Sequence, residues 1–318
     1  MAGPVVMLMG PTGAGKTDAA LALVERFPLE IVSVDSALVF RGMDIGTAKP
    51  PPEVLAAVPH HLVDILDPGE RYSAGRFVAD AESAMADIRR RGRVPLLVGG
   101  TMLYFRALQS GLAPLPPADP EIRRRIDERG EREGWPALHA ELARLDPAAA
   151  ARIRPADRQR IQRALEVIAL TGERISARQR QDLRGSASAD GLRLVLAPAS
   201  RDALAGRIER RFQRMMELGL LEETRRLHAR RDLDESLPSV RCVGYRQLWA
   251  HLEGRCTLAE AVERGIVATR QLAKRQLTWL RSEPGAEWVE ALDSGAIGRM
   301  SGRVGEWLAG AAGAQAGL

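Results

Sequence analysis

The chain has 318 residues, 45% hydrophobic and 27% charged, with a net charge of +5 and a pI near 9.7. That composition excludes a disordered chain, and the length is enough for two domains with their own cores. Cys242 and Cys256 lie too far apart for a C-x-x-C pair and have no His or Cys cluster beside them, which argues against a zinc site or disulfide framework.

The N-terminus runs straight into an apolar strand, Val5–Met9, without a basic leader. No apolar run approaches the roughly 20 residues that span a bilayer, so no membrane partner and a cytoplasmic location are expected. Gly10-Pro11-Thr12-Gly13-Ala14-Gly15-Lys16-Thr17 follows and matches G-x-x-x-x-G-K-[ST], with a helix expected after Lys16. The glycines let successive N–H groups turn toward phosphate oxygens, and the helix N-terminus adds partial positive charge. Lys16 supplies a full charge, and Thr17 offers a hydroxyl to Mg²⁺. Further strands are expected at Glu30–Asp35, Leu62–Ile65 and Val94–Val98. Helices are expected from Ser73, as N-cap, to Arg91, stopped by Gly92, and from Thr101 to Gln109. Apolar strands alternating with helices imply a parallel sheet covered on both faces.

In such a sheet, ligands bind outside the carboxyl ends of the strands, so the phosphate loop, Asp35 and Thr101 should face one crevice. Asp35 there is a general base, an N-cap or a Mg²⁺ ligand, and Thr101 taken alone reads as a helix N-cap. An ATPase or GTPase usually ends a second apolar strand in an acid that holds Mg²⁺. Val94–Val98 runs instead into Gly99-Gly100-Thr101, which weakens a nucleotide hydrolase while leaving a small-molecule kinase open.

Gly111–Pro117 reads as a linker. Beyond it Asp119–Glu133, Trp135–Leu145, Pro147–Ile153 and Asp157–Thr171 read as helices rich in Arg and Glu. Gly185–Gly191 reads as a small-residue loop and Leu192–Ala197 as a strand that returns to the sheet. Long helices follow at Arg201–Leu218, Leu220–Arg231 and Thr257–Arg281, and the low-complexity tail from Leu308 is expected to fray. The expected architecture is an α/β phosphate-loop core, residues 1–112 and 191–318, interrupted by a helical insertion at 113–190. In the Asp157–Thr171 helix, Ile161, Leu165 and Ile168 share one face, with Gln159 and Arg163 directed elsewhere. In the Thr257–Arg281 helix, Ile266, Ala273, Leu277 and Leu280 form an apolar stripe. Arg270, Lys274, Thr278 and Arg281 form a basic one, able to track a phosphate backbone or simply to solvate the helix.

Gly10–Thr17, Val34–Pro50, Leu97–Tyr104, Arg158–Glu166, Ser239–Gln247 and Thr269–Arg281 resemble the tRNA dimethylallyltransferases, in the family's order and over nearly the whole chain. Gly42–Pro50 and Arg241–Arg246 are specific to that family among phosphate-loop proteins. The resemblance implies a P-loop NTPase-like parallel sheet with an inserted all-helical domain that grips the tRNA anticodon stem-loop. It also implies Mg²⁺, and transfer of a dimethylallyl group from dimethylallyl diphosphate to N6 of the adenosine 3′ of the anticodon. The loop Gly10–Thr17 would hold the diphosphate, with Lys16, Thr101 and Arg211 on the leaving group (Arg207 being the alternative to Arg211). Asp35 would take the N6 proton of a flipped-out base. The tRNA contacts implied are Asp35, Ser36, Ala37, Leu38, Thr101, Arg123, Gln159, Arg160, Ile161, Gln162, Arg163, Arg241, Cys242, Val243, Gly244, Tyr245, Arg246, Lys274, Arg275, Gln276, Leu277, Thr278, Trp279, Leu280 and Arg281. Phe40 stands where many members have Tyr, and no zinc-finger extension follows Arg281, as in the shorter bacterial type. A monomer is the default. The competing readings are an ATP-dependent small-molecule kinase and a nucleotide-switched RNA-binding protein.

Overall fold

The computed structural model describes residues 3–179 and 191–316, the last five of these as backbone only. In chain order the elements are β1 (Val6–Met9), α1 (Lys16–Val24), β2 (Leu29–Val34), α2 (Pro52–Ala57), β3 (His60–His61), α3 (Ala74–Arg90), β4 (Val94–Gly99) and α4 (Met102–Ser110). Then come α5 (Pro120–Glu133), α6 (Trp135–Leu145), α7 (Pro147–Ala150), α8 (Arg158–Thr171) and α9 (Ile175–Arg178). The chain ends with β5 (Leu192–Ala197), α10 (Arg201–Glu217), α11 (Leu220–His228), α12 (Tyr245–Leu252), α13 (Leu258–Leu280), β6 (Glu287–Glu290) and α14 (Ala296–Ala316). Two compact units result: Met1–Gln109 with Ser186–Leu318, and Ser110–Gly185.

The first unit is a six-stranded parallel sheet in the order β3-β2-β4-β1-β5-β6. Central β1 pairs Val6 with Leu96 on one side and Leu192 on the other, and its residues are buried throughout. Continuous apolar strands are what a parallel sheet covered on both faces requires. On one face Ala19, Ala20 and Leu23 of α1 and Met300 and Val304 of α14 pack against Val6, Leu8, Leu96 and Leu194. On the other, Phe77 of α3, Phe105 of α4, Ile208 and Phe212 of α10 and Leu277 of α13 cover Met7, Met9, Val32 and Leu97.

Several sequence expectations are corrected. Leu62–Ile65 is not a strand: β3 stops at His61, because Leu62 and Asp64 take φ of 63° and 55°. That left-handed backbone turns the Asp64 carboxylate onto buried Lys49, which also holds Asp44 at 2.6 Å and the Phe40 carbonyl at 2.9 Å. α12, α14, α2, α9 and β6 had not been read from the sequence, and α14 continues through the low-complexity tail to Ala316. Gly185–Gly191 lies outside the described residues except for Gly191. Ser73 does cap α3, accepting from the Arg76 N–H at 3.1 Å, and Gly92 follows its end at φ 73°.

The stretch from Val39 to Pro50 has little regular structure, yet its turn at Asp44–Gly46 is held by one acid. Glu223 of α11, 1% exposed, accepts from the backbone N–H groups of Asp44, Ile45 and Gly46 at 2.9–3.1 Å and from the Tyr245 hydroxyl at 2.6 Å. Burial of the ring, together with the Glu223 carboxylate beside it, pushes the Tyr245 phenol far above its usual range. Gly46 has no room for a side chain, since a Cβ there would meet the Tyr245 ring at 2.5 Å. Glu223→Ala strands three backbone donors and a phenol in the interior at once. The expected result is a loss of about 3 kcal/mol of stability, read as a lower midpoint in urea unfolding.

The second unit is helical. Ile126, Trp135, Leu138, Leu142, Ile161, Ala164 and Leu165 form its core. A fully buried acid, Glu166 of α8, is held by a bidentate Arg123 (2.8 and 3.1 Å), by Arg163 at 2.5 Å and by the Asp119 N–H at 2.8 Å.

Candidate active site

β1 delivers the chain into Gly10–Thr17, and α1 starts at Lys16. Gly13 and Gly15 take φ of 81° and 92°, which other L-residues adopt only under strain, and this curls the loop. Lys16 donates to the Pro11 carbonyl at 2.9 Å. Burial lowers its ammonium to about 8, with Asp35 opposing that shift and Arg211 adding to it. Two side chains from distant helices brace the loop. Arg207 of α10 donates to the Gly13 carbonyl at 2.8 Å, and Gln276 of α13 accepts from the Thr12 N–H at 2.9 Å.

The strand-end rule brings the expected groups together. A cavity of about 540 Å³ is lined by Thr12 from the loop, by Asp35, Ser36 and Ala37 after β2, and by Gly100 and Thr101 after β4. Arg211, Arg241, Cys242, Val243, Gly244, Arg275, Gln276 and Trp279 also line it. Its apolar wall comes from Met102, Leu103, Ile208, Phe212, Met215, Leu220 and Leu272. The arrangement suits a ligand with an anionic head and an apolar body.

Asp35 uses Oδ1 to accept from Ala37 N–H at 2.8 Å and Leu38 N–H at 3.4 Å, so one carboxylate oxygen steadies the turn. No hydrogen bond to its Oδ2 occurs among the described residues. The Thr101 hydroxyl does not cap its own helix as read from sequence: it accepts from the Ser36 N–H at 3.2 Å and ties the ends of β2 and β4 together. Burial and the Asp35 charge push the Cys242 thiol and the Tyr104 phenol up to about 12. Cys242 is therefore a protonated, poorly nucleophilic wall at neutral pH. Between the two candidate clamps, Arg207 is committed to the loop backbone while Arg211 faces the cavity. Burial lowers the Arg211 guanidinium, and Asp35 partly offsets this.

The residues implied as RNA contacts divide sharply. Arg241, Arg246, Lys274, Arg275, Thr278, Trp279, Arg281, Gln159 and Arg160 are exposed. Ile161, Tyr245, Leu277 and Leu280 are instead core side chains, buried by their own units, and Gly244 is buried too. Arg123 and Arg163 are engaged on Glu166, and Gln162 donates to Asp127 at 2.6 Å. Arg270 of the basic stripe pairs with Glu209 at 2.7 Å. The bracing roles of Arg207, Glu223 and Gln276 had no sequence signal, because each acts on backbone more than 170 positions away. Phe40 is fully buried and serves the core.

The described residues contain no helix long and apolar enough to cross a membrane and no cluster of three or more His, Cys, Asp or Glu that could hold a metal.

A family model described as IPP transferase matches residues 38–283. A tRNA dimethylallyltransferase of Bordetella petrii is 57% identical over 310 residues, 97% of this chain and 99% of that one. Another, of Thioalkalivibrio sulfidiphilus, is 58% identical over 93% of each chain. Among solved structures, the full-length tRNA isopentenylpyrophosphate transferase of Bacillus halodurans superposes with a TM-score of 0.72 at 35% identity, covering 99% of both chains. A eukaryotic dimethylallyltransferase captured acting on tRNA gives 0.73 at 26% identity, over 92% of this chain and 75% of that one. With a family model spanning most of its length and relatives this similar, the chain belongs to the IPP transferase family.

Proposed function

We infer that the protein transfers a dimethylallyl group from dimethylallyl diphosphate to N6 of the adenosine 3′ of a tRNA anticodon, position 37, releasing diphosphate. The observation that carries this is the single crevice in which a phosphate loop, a carboxylate and an apolar wall meet. Family membership and the named relatives support the same reaction, and lend nothing to a kinase or a nucleotide switch.

The C1–O bond of the allylic diphosphate breaks, the N6–C1 bond forms, and the displaced N6 proton passes to Asp35. An exocyclic adenine amine is a weak nucleophile, because its lone pair is drawn into the ring. Asp35 Oδ2 is the oxygen left to receive the proton and to hold the amine in line with C1. The loop N–H groups, Lys16 and Arg211 stabilise charge on the departing diphosphate, with Thr101 donating to its bridging oxygen. The allyl group lies against the apolar wall.

Mg²⁺ fits the donor set present. The loop offers the exposed Thr17 hydroxyl, a hard oxygen ligand, and no dedicated cage of acids stands nearby among the described residues. Mg²⁺ is commonly held this way, by one or two protein oxygens, substrate phosphates and water. When bound it neutralises diphosphate charge.

On the RNA side, the exposed Lys274, Arg275, Thr278 and Arg281 of α13 and Arg241 and Arg246 beside the cavity supply phosphate and base contacts. The helical unit 110–185 is assigned to the anticodon stem-loop, the protein works as a monomer, and its location is the cytoplasm, where tRNA is the substrate. Arg123 and Arg163 act there through Glu166, shaping α5 and α8, before any RNA contact.

Incubation with dimethylallyl diphosphate labelled in the allyl group and unmodified tRNA should place label on the adenosine next to the anticodon. Unlabelled RNA under conditions where the protein binds both substrates would overturn the assignment.

A further inference from the structure

Gln276 sits on α13 among exposed neighbours, Lys274, Arg275 and Thr278, but is itself only partly exposed. Its amide joins the phosphate loop to the end of β4. Oε1 accepts from the Thr12 N–H at 2.9 Å, and Nε2 donates to the Gly100 carbonyl at 2.9 Å. Thr12 is the third residue of the phosphate loop, and Gly100 immediately precedes Thr101. A Cβ at Gly100 would lie 3.1 Å from the Gly10 carbonyl and collide with Gln276 Nε2. The ends of β1 and β4 thus meet backbone to backbone, with the glutamine amide filling the remaining gap. An amide alone among neutral side chains of this length matches a donor with its oxygen and an acceptor with its nitrogen.

We propose that Gln276 is a positioning residue that sets the spacing between the phosphate loop and the Thr101 strand end. It ties up the Thr12 N–H, so that this group is satisfied by protein and the curl of the loop is fixed before a ligand arrives. The inference rests on the diphosphate-transfer reading of the crevice, and it departs from the implied role of Gln276 as an RNA contact. The two roles predict opposite results. Loss of an RNA contact weakens tRNA binding, whereas loss of the brace disturbs the anion site and leaves RNA affinity alone.

The test compares the wild type with full-length Gln276→Met, which keeps side-chain length without polarity, and Gln276→Glu, which keeps the acceptor and loses the donor. Affinity for inorganic pyrophosphate without RNA, Kd for tRNA, and kcat for label transfer are measured, with thermal unfolding as a check. Gln276→Met removes both part-buried hydrogen bonds of the amide and should weaken pyrophosphate binding by about tenfold, lowering kcat with it. Gln276→Glu should be worse, since its charge faces both the Gly100 carbonyl and the anion. The tRNA Kd should stay within about twofold of wild type. If the apolar variant does not fold, Gln276→Asn, which presents the same groups one methylene short, should show the same selective loss. Unchanged pyrophosphate affinity and kcat, or a weakened tRNA Kd with pyrophosphate binding intact, would overturn the proposal. A wild type that binds pyrophosphate but never labels tRNA would instead overturn the reaction assigned above, and the pyrophosphate comparison still decides the role of Gln276.

Discussion

Asp35→Asn is expected to cut turnover by about 10²- to 10⁴-fold, the usual range for a lost general base, while tRNA affinity changes little. Asparagine is the informative substitution because its amide oxygen can still accept from Ala37 and Leu38, where Oδ1 now steadies the turn. The crevice then keeps its shape and loses only the proton acceptor. Asp35→Ala should lose activity further, since the turn loses its anchor as well. Single-turnover kinetics with saturating tRNA measure the chemical step directly. A kcat near the wild-type value in Asp35→Asn would remove the acid from the reaction.

Lys16→Ala should impair both binding and chemistry, because in the proposed reaction the ammonium faces the same anion in the ground state and as it departs. A loss of about 10²- to 10³-fold in kcat/KM is expected, as for removal of one electrostatic donor from an oxyanion site. The pH dependence gives an independent check. Burial brings Lys16 to about 8 in the free protein, so its charge is present below that pH and lost above it. The KM for the allylic diphosphate should accordingly climb as the pH passes 8, and Lys16→Arg, which stays charged, should flatten the climb. Folding responds with the opposite sign. The native state disfavours the charged amine, so this group costs stability below about pH 8, and the cost is relieved as the pH rises from there toward 10.5. An alkaline KM profile identical in Lys16→Arg and wild type would detach the lysine from the leaving group.

What the sequence revealed follows the range over which each interaction acts. β1, β2, β4 and β5 were legible because strands buried on both faces are mostly apolar, unbroken in β1 and interrupted only by Glu30 and Ser33 in β2 and Arg193 in β5. The loop Gly10–Thr17 was legible because its glycines, lysine and flanking elements are all local. From those, the strand-end rule was enough to place Asp35 and Thr101 in one crevice. Leu62–Ile65 misled because apolar residues there serve a turn with left-handed backbone, and periodicity does not carry the sign of φ. Glu287–Glu290 was hidden by its length and terminal acids, and its strand character comes from pairing with β5. Thr101 passed for a helix cap because the Ser36 N–H it accepts from lies 65 positions away. Gln276 and Thr12 are 264 positions apart, and nothing near either one announces the other. The exposed face of α13 was readable from helical spacing, whereas buried pairings such as Arg123 with Glu166 could not be told from surface charge.

The acid at the hub of Asp44–Gly46 has a bearing on recombination between relatives. A crossover placed anywhere from position 50 to 222 would leave the Asp44–Gly46 turn from one parent and its carboxylate anchor, with the phenol behind it, from the other. Chimeras joined there should fold well only when both parents supply the same acid, the same tyrosine and a glycine at 46, so these positions are inherited as a set although the chain keeps them far apart.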